Sequence, residues 1–262
     1  MRWSDGRLTE AEVDTESKSG GRGVFSTVGC RNGRPLLWER HRSRLSASVE
    51  CLGATGEVSL PEEADLCSLL AANGFNDSAR LRVVAWKRGT ERWRVEASVG
   101  DCGAVGPRVA PAKVSVERWE GVPPFAGHKT VSRMPWDLAR ERALEAGFDD
   151  VVLADADGRI LETSVANIWV VRDGVARTPP APLRCLPGVM RGWLLDNLCA
   201  EGFRTEECDL DIADLVGADE IWLSNAVIGL RRVGSSPDQR WESWPNFDRI
   251  VRMGVPAPGW PG

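Results

Sequence analysis

The sequence predicts an α+β protein of two domains, and three observations support this. Short β-like runs alternate with amphipathic helical segments along the 262 residues. Hairpin signals, Asn32-Gly33 and Asp173-Gly174, join neighbouring runs in each half. A Gly- and Pro-rich segment lies between the halves. The predicted division is a small N-terminal domain over 1–119, a linker over 120–127 and a larger C-terminal domain over 128–262.

The first half contains the elements of a small α+β domain. Two β-like runs, 23–30 and 34–37, flank the first hairpin signal. A helix is predicted from Trp38 to Leu52 because leucine and valine recur there at helical spacing. Pro61 and two glutamates open a second helix, which ends at Asn73-Gly74. Three more strands are predicted over 80–87, 92–98 and 113–118.

The second half contains two longer helices among many strands. One helix is predicted over 135–145, with Leu138 and Leu144 facing the core and Gly147 ending it. The other begins at Pro187 and runs through Cys199. Strands are predicted over 151–154, 159–163, 166–171, 175–178, 203–207, 219–224 and 227–233, and an irregular tail after Met253.

Composition and charge exclude several classes of partner. The longest apolar runs, such as 151–154, are far shorter than the ~20 residues that cross a bilayer, and residues 1–6 do not resemble a secretory signal. We therefore expect no membrane partner and a cytoplasmic protein. A net charge of −5 without a basic block gives no footprint for nucleic acid. Seven cysteines without a C-x-x-C pair predict neither a disulfide framework nor a metal site.

The aromatic composition restricts the chemistry of any site. The chain has twelve tryptophans and no tyrosine. No phenol hydroxyl can therefore act as an acid, a base or a phosphate ligand. Threonine, serine, arginine or tryptophan side chains must take those roles.

Lys129 is one of only four lysines, and it opens the segment 129–133 directly after the predicted linker. Ligand clefts form preferentially at domain junctions. A neutral lysine amine in a protected cleft can attack an aldehyde, which would attach an aldehyde cofactor. A lone lysine at a strand start is more commonly solvated, but the residues that accompany Lys129 favour the cofactor.

Two features suit a cofactor with a pyridine ring and a phosphate. Glu162 ends a predicted strand, and its carboxylate would keep a pyridine nitrogen protonated, although an edge-strand glutamate is the commoner role. Pro187 and Gly188 open a predicted helix. The first N–H groups of a helix lack intrahelical partners and favour an anion.

Two more groups could complete the phosphate site. Arg44 offers a forked guanidinium, and a surface arginine on an amphipathic helix is an equal alternative. The segment Ser224-Asn225-Ala226 ends a predicted strand and can supply a hydroxyl and backbone N–H groups. Polar residues at a strand end more often only terminate the strand.

Together these segments resemble the class IV pyridoxal-phosphate aminotransferases, the family of branched-chain and D-amino-acid transaminases and of aminodeoxychorismate lyase. The resemblance covers about residues 20 to 233. It is carried, in chain order, by Gly23–Thr27, Asn32-Gly33, His41–Leu45, Lys129, Gly147–Asp150, Asp157-Gly158, Glu162, Ala166-Asn167, Thr178-Pro179, Leu186–Gly188 and Arg191.

The resemblance implies the two-domain fold of this family, with pyridoxal 5′-phosphate between the domains, and a homodimer. It implies that Lys129 is the Schiff-base lysine and that Glu162 contacts the ring nitrogen. The residues implied in phosphate binding are Arg44, Val189, Met190, Ser224, Asn225 and Ala226.

Three local features favour the lyase within this family. Ser26 follows Phe25 where transaminases usually have glutamate, Ser132-Arg133 is similar to the Asn-Arg of lyases, and Asn225-Ala226 stands where branched-chain transaminases have Gly-Thr. We therefore expect an enzyme of folate biosynthesis that acts on a small-molecule amino substrate, 4-amino-4-deoxychorismate. It would eliminate pyruvate and give 4-aminobenzoate.

Residue roles in this reaction follow from the same resemblance. Lys129 would take the proton from the amine-bearing ring carbon, and Thr27 could relay a proton to the departing group or could only satisfy the strand backbone. Many relatives have arginine where this chain has Gly29. The substrate carboxylate would then be anchored by Arg22, Arg82 or Arg133, and the sequence does not choose among these three.

Two other functions stay open at this point. One is a transaminase for D-amino or branched-chain amino acids. The other is a catalytically silent family member that serves as a binding or scaffold protein, against which the presence of both Lys129 and Glu162 speaks.

Overall fold

The structure, a computed structural model, describes residues 1–10, 22–54, 56, 58–87, 92–102, 110–122 and 125–252. The chain divides into two compact units. Met1–Gly103 and His128–Ser132 form the first unit, and Ala104–Gly127 and Arg133–Gly262 form the second. The tail after Met253, predicted to be irregular, lies outside the described residues.

This division differs from the predicted one, which ended the N-terminal domain at residue 119 and began the C-terminal domain at 128. The strand over 112–118 lies in the sheet of the second unit, and the segment 128–132 lies with the first unit. Composition marks 120–127 as irregular but does not report which sheet a neighbouring strand joins. Strand pairing with residues far along the chain decides that.

The first unit is built on six strands: β1 (Arg2–Ser4), β2 (Arg7–Thr9), β3 (Gly23–Arg31), β4 (Arg34–Pro35), β5 (Ser78–Trp86) and β6 (Arg94–Gly100). They pair antiparallel in the order β2-β1-β6-β5-β3-β4. Asn32 and Gly33 have φ values of 50° and 68°, as a two-residue hairpin turn requires. The predicted hairpin is therefore confirmed.

Two helices, α1 (Trp38–Cys51) and α2 (Glu63–Ala72), pack with this sheet around one apolar core. Val24 and Val28 of β3 belong to that core. Alternate residues of a strand face opposite sides, so Ser26 also faces the helices. Phe25 belongs to a separate cluster on the other side of the strand. This alternation decides where each candidate site residue of β3 lies.

The second unit is built on eight strands: β7 (Ala112–Arg118), β8 (Asp150–Ala154), β9 (Ile160–Thr163), β10 (Asn167–Arg172), β11 (Val175–Thr178), β12 (Arg204–Glu207), β13 (Glu220–Asn225) and β14 (Gly229–Ser235). Their order is β12-β11-β10-β13-β14-β7-β8-β9. β7 joins the sheet by parallel pairing with both β14 and β8. Among its described residues, the helices are α3 (Met134–Glu145), α4 (Val189–Ala200), α5 (Ile212–Val216) and α6 (Pro245–Arg252).

The inward face of α3 is not the predicted one. Leu138 and Leu144 are 44% and 51% exposed, whereas Ala139 and Ala143 are buried. The two alanines pack in a cluster with residues of β8 and β9. Small side chains allow a helix to lie close to a sheet, so this contact selects alanine rather than leucine. The prediction for the leucines was wrong because hydrophobicity alone does not show which stripe is covered.

Short elements escaped prediction as well. β1 and β2 have three residues each, and Trp3 of β1 is buried opposite Ala97 of β6.

Within the described part of the chain, no helix has the length and apolar character to cross a membrane. Over the same residues, no three His, Cys, Asp or Glu side chains cluster as metal ligands would.

Candidate active site

Lys129 is fixed by backbone hydrogen bonds to β3. The Phe25 N–H donates to the Lys129 carbonyl at 2.8 Å, and the Val131 N–H donates to the Gly23 carbonyl at 2.9 Å. Thr130 forms an antiparallel bridge with Val24 between these two bonds. The segment therefore acts as one short additional strand, and the start of the Lys129 side chain has a defined position within the first unit.

Three predicted site residues, Lys129, Thr27 and Arg82, lie around Phe25 of the first unit. The Lys129 Nζ is 4.9 Å from the centre of the Phe25 ring, and the Arg82 guanidinium carbon is 3.9 Å from it. Thr27 is directly opposite Arg82 in the β3–β5 pairing, so both side chains are on the Phe25 side of the sheet. The structure therefore brings the predicted catalytic residues, Lys129 and Thr27, together with Arg82.

Arg44 lies on the other side of β3, with a buried serine and histidine. Its Nη2 donates to the Ser26 Oγ at 3.0 Å, and that oxygen is 2.6 Å from the His41 Nδ1. Ser26 and His41 are both fully buried. Burial lowers the pKa of His41 well below its ordinary value, and the nearby charges of Arg44 and Lys129 lower it further. The imidazole is therefore neutral at physiological pH.

Arg22, another predicted substrate-binding residue, is exposed just before β3. Its backbone carbonyl accepts a hydrogen bond from the Lys87 N–H at 3.0 Å. This bond positions the Arg22 backbone and leaves its guanidinium in a solvated setting, unlike the ring-stacked guanidinium of Arg82.

Glu162, in the second unit, is held by two donors. The Trp136 indole Nε1 donates to its Oε1 at 3.1 Å, and the Leu186 backbone N–H donates to its Oε2 at 3.2 Å. Each carboxylate oxygen can accept more than one hydrogen bond. These two bonds give the Glu162 carboxylate a fixed orientation.

The start of α4 follows closely after Leu186, whose backbone N–H donates to the Glu162 carboxylate. Gly188 is its N-cap residue, with extended backbone and no side-chain cap. A Cβ at position 188 would overlap the Asn167 Oδ1, whose own amide nitrogen donates to the Leu186 carbonyl at 2.8 Å. Glycine is needed there because Asn167 approaches so closely. The first N–H groups of the helix, at Val189 and Met190, have no intrahelical acceptor.

The end of β13 lies beside β10, where Ser224 pairs with Asn167. Ser224 is fully buried, and its Oγ accepts a hydrogen bond from the Trp169 indole at 2.9 Å. The Asn225 Oδ1 accepts from the N–H groups of Val227 and Ile228, both at 2.9 Å. The Asn225 carboxamide is therefore used to shape the turn that contains Ala226.

Arg133 is engaged at the start of α3. It donates to the Ser164 carbonyl, pairs with Asp137 at 3.7 Å and lies 5.5 Å from the Trp136 ring centre. Arg191, which helped to carry the family resemblance, is buried and bonded to the Pro179 carbonyl at 2.8 Å and to Glu207. Both arginines thus have structural partners within the second unit.

The groups in each unit fit pyridoxal phosphate in their chemistry. The first unit presents the amine of Lys129 and the partly buried guanidinium of Arg44. The second presents a carboxylate fixed by two N–H donors and a helix start without a side-chain cap. An aldehyde, a phosphate and a basic ring nitrogen would each find a group of complementary chemistry in this set.

Sequence reasoning missed the residues that orient these groups. Trp136 and Trp169 donate indole N–H groups to Glu162 and Ser224. The absence of tyrosine was the available signal, since it leaves tryptophan as an aromatic hydrogen-bond donor. His41 lies in the segment His41–Leu45, which contributes to the family resemblance, but only the fold shows that it contacts Ser26.

Comparisons with known proteins identify the family of this chain. The model for amino-transferase class IV matches residues 23–236, which is most of the chain. An aminodeoxychorismate lyase of Vibrio harveyi is 26% identical over 257 residues, covering 92% of this chain and 93% of that protein. A "Probable branched-chain-amino-acid aminotransferase" of Rickettsia bellii is 24% identical over 250 residues, covering 89% and 86%.

A solved structure shows the same fold. The branched-chain aminotransferase of Thermoproteus uzoniensis superposes with a TM-score of 0.85 at 22% identity, covering 96% of this chain and 92% of that one. The predicted α+β, two-domain fold is thereby confirmed. From the family match over residues 23–236, the chain belongs to the class IV aminotransferase family and is a pyridoxal-phosphate-dependent enzyme.

Proposed function

We propose that this enzyme is a 4-amino-4-deoxychorismate lyase, which releases pyruvate and forms 4-aminobenzoate. The observation that carries the proposal is the match to the Vibrio harveyi lyase, which extends over nearly the whole length of both proteins. The expected homodimer and cytoplasmic location accompany this proposal as predictions.

The environment of Ser26 supports the lyase. Transaminases of the family usually have glutamate at this position, and here a fully buried serine accepts a hydrogen bond from Arg44. A glutamate would place a carboxylate against that guanidinium and compete with an anionic ligand for it. Serine accepts a hydrogen bond from Arg44 without adding a negative charge beside it.

The proposed cofactor contacts use groups from both units. Lys129 would attach the cofactor covalently, and Glu162 would lie against the ring nitrogen. Arg44 and the N–H groups of Val189 and Met190 would bind the phosphate. The turn at the end of β13 would contribute the backbone of Ala226, because the Ser224 side chain is fully buried against Trp169 and the Asn225 side chain is occupied in the turn.

When bound, pyridoxal phosphate supplies a ring that accepts the electron pair left at a substrate carbon. The Lys129 Nζ would take the proton from the ring carbon that carries the substrate amine. Glu162, fixed by Trp136 and Leu186, would keep the pyridine nitrogen protonated. The bond from the neighbouring ring carbon to the ether oxygen then breaks, enolpyruvate departs and takes up a proton, and the ring becomes aromatic.

We infer that Thr27 and Arg82 act on the side of the substrate from which pyruvate leaves. They are cross-strand neighbours on the Phe25 side of β3, where the Lys129 Nζ also lies. The Thr27 hydroxyl could donate a proton to the departing oxygen. Among the three candidate anchors we favour Arg82 for the substrate carboxylate, because its guanidinium lies over the same Phe25 ring as the Lys129 Nζ.

The test is incubation with enzymatically generated 4-amino-4-deoxychorismate, with 4-aminobenzoate and pyruvate measured together. Equal molar yields are expected, and Lys129→Ala should form neither product. Lys87→Ala is the matched control, since Lys87 is another of the four lysines and follows β5. No product from the cofactor-loaded wild-type enzyme would reject the lyase.

The second candidate is a transaminase, which the Rickettsia bellii relative favours by its coverage of 89% of this chain. The family's transaminases return the proton to the cofactor instead of releasing a group from the substrate. A panel of D-amino and branched-chain amino acids, assayed for 2-oxo acid formation, tests this activity. Rapid 2-oxo acid formation together with no 4-aminobenzoate would replace the lyase by this candidate.

A further inference from the structure

Arg44, Ser26 and His41 form a buried hydrogen-bonded series in the first unit. Arg44 lies three residues after His41 on α1, and both reach the Ser26 Oγ on the core-facing side of β3. The two contacts to that oxygen are 3.0 Å and 2.6 Å. Neither Ser26 nor His41 is accessible to solvent. Their polar groups therefore interact with other protein groups and not with solvent.

The direction of these hydrogen bonds follows from the chemistry of the groups. A guanidinium can only donate, so the Ser26 oxygen accepts from Arg44. The hydroxyl hydrogen then points to the His41 Nδ1, which accepts it when the imidazole carries its proton on Nε2. The opposite tautomer would leave the buried hydroxyl hydrogen without an acceptor. The series thus runs from Arg44 through Ser26 to a neutral His41.

The stability of the folded protein does not by itself explain why these polar residues are buried here. Among the described residues, the His41 Nε2 has no hydrogen-bond partner although it is buried. A buried N–H without a partner is unfavourable, and an apolar residue of similar size would avoid the penalty. The cations Arg44 and Lys129 lower the pKa of His41 further, beyond the effect of burial, and so keep Nδ1 free to accept.

We propose that Ser26 and neutral His41 are positioning residues that orient the Arg44 guanidinium toward the 5′-phosphate of the cofactor. The inference rests on the proposed role of Arg44 as a phosphate ligand. His41 fixes the Ser26 hydroxyl, and Ser26 accepts one N–H of Arg44. The other N–H groups of the guanidinium fork then point in a defined direction. Neither residue needs to touch the cofactor.

The experiment compares the affinities of the apo-enzyme for pyridoxal 5′-phosphate and for pyridoxal. Both compounds can react with a lysine through the same aldehyde, and only one carries a phosphate. We define the affinity ratio as the dissociation constant for pyridoxal divided by the dissociation constant for pyridoxal 5′-phosphate. A change in this ratio relative to wild type isolates the contribution of the phosphate. Titrations followed by tryptophan fluorescence and by visible absorbance give both constants, and thermal unfolding of each apo-variant checks the fold.

Four single variants separate positioning from packing. Ser26→Ala removes the acceptor of Arg44, and His41→Leu keeps much of the volume without the acceptor. His41→Asn restores an acceptor near the place of Nδ1. Ser48→Ala is the matched control: Ser48 is a buried serine on α1 whose Oγ lies 3.0 Å from the Nδ1 of another histidine, His128.

Ser26→Ala and His41→Leu should weaken binding of the phosphorylated compound about tenfold and binding of pyridoxal less than about twofold. His41→Asn should recover most of the loss, and Ser48→Ala should leave the ratio unchanged. Equal losses for both compounds, or an unchanged ratio, would overturn the inference. If Ser26→Ala does not fold, the comparison of His41→Leu with His41→Asn decides the same question.

Arg44→Met distinguishes failure of this inference from failure of the proposed phosphate site. If Arg44 binds phosphate, Arg44→Met alone lowers the affinity ratio, and adding Ser26→Ala lowers it no further. If Arg44→Met leaves the ratio unchanged, the proposed phosphate ligand is wrong. If both changes lower the ratio independently, Ser26 does not act through Arg44. The lyase assay is independent of all three outcomes.

Discussion

Trp136→Phe should lower turnover by loosening Glu162, and the structure sets the size of this effect. The indole Nε1 donates to the Glu162 Oε1 at 3.1 Å, and phenylalanine keeps a ring at the site but lacks the N–H group. A hydrogen bond to a charged group contributes about 1.5–3 kcal/mol, and partial exposure of this carboxylate reduces it to about 1 kcal/mol. That loss corresponds to about a fivefold decrease in kcat.

Trp119→Phe is the matched control for this change. The two indoles form an edge-to-face pair with ring centres 5.2 Å apart, so both variants disturb the same aromatic contact. The Trp119 Nε1 donates to a different carboxylate, Glu117, at 3.0 Å. The assay is the rate of 4-aminobenzoate formation at saturating cofactor, with thermal unfolding of both variants. Equal turnover in the two variants would refute a role for the Trp136 N–H in orienting Glu162.

Three other predictions follow from the described geometry. Glu162→Gln should still bind the cofactor by visible absorbance but lose most turnover, since a neutral amide cannot keep the ring nitrogen protonated; turnover near wild type would contradict this. Gly188→Ala should lower the free energy of unfolding by about 1–3 kcal/mol in denaturant titration because its Cβ overlaps a neighbouring amide oxygen, whereas Gly100→Ala, with no heavy atom within 4 Å, should not. Burial raises the pKa of Cys185 to about 12, so only about one thiol in 10⁴ is ionised at pH 8. Cys185 of the folded protein should therefore resist iodoacetamide at this pH, whereas the exposed Cys199 should be alkylated. Rapid labelling of Cys185, measured by mass spectrometry, would contradict its burial.

Leu138 of α3 shows how a correct local prediction can still misplace a side chain. The helix was predicted over 135–145 and forms over Met134–Glu145. Its inward face is made by Ala139 and Ala143, which fit against the cluster that contains Val151. Helix formation depends on neighbours along the chain, whereas the choice of buried face depends on the space left by another element.

The candidate site divides in the same way. The sequence alone determined the chemical groups, such as the Lys129 amine and the Glu162 carboxylate, because these are properties of single residues in a recognisable order. Only the fold showed that Ser26 connects Arg44 to a neutral His41. Contacts of this kind join residues that are 15 or 18 positions apart, and no local pattern reports them.

The sequence by itself determined most helices, strands and hairpins, because periodicity and turn chemistry act over a few neighbouring residues. Tertiary structure alone decided that Ala112–Arg118 joins the sheet of the second unit by parallel pairing, and that residues 128–132 pair beside β3 in the first. It also decided which indole fixes which carboxylate. The physical reason is that pairing partners far apart in the chain compete for the same strand edge, and only the packed core selects between them.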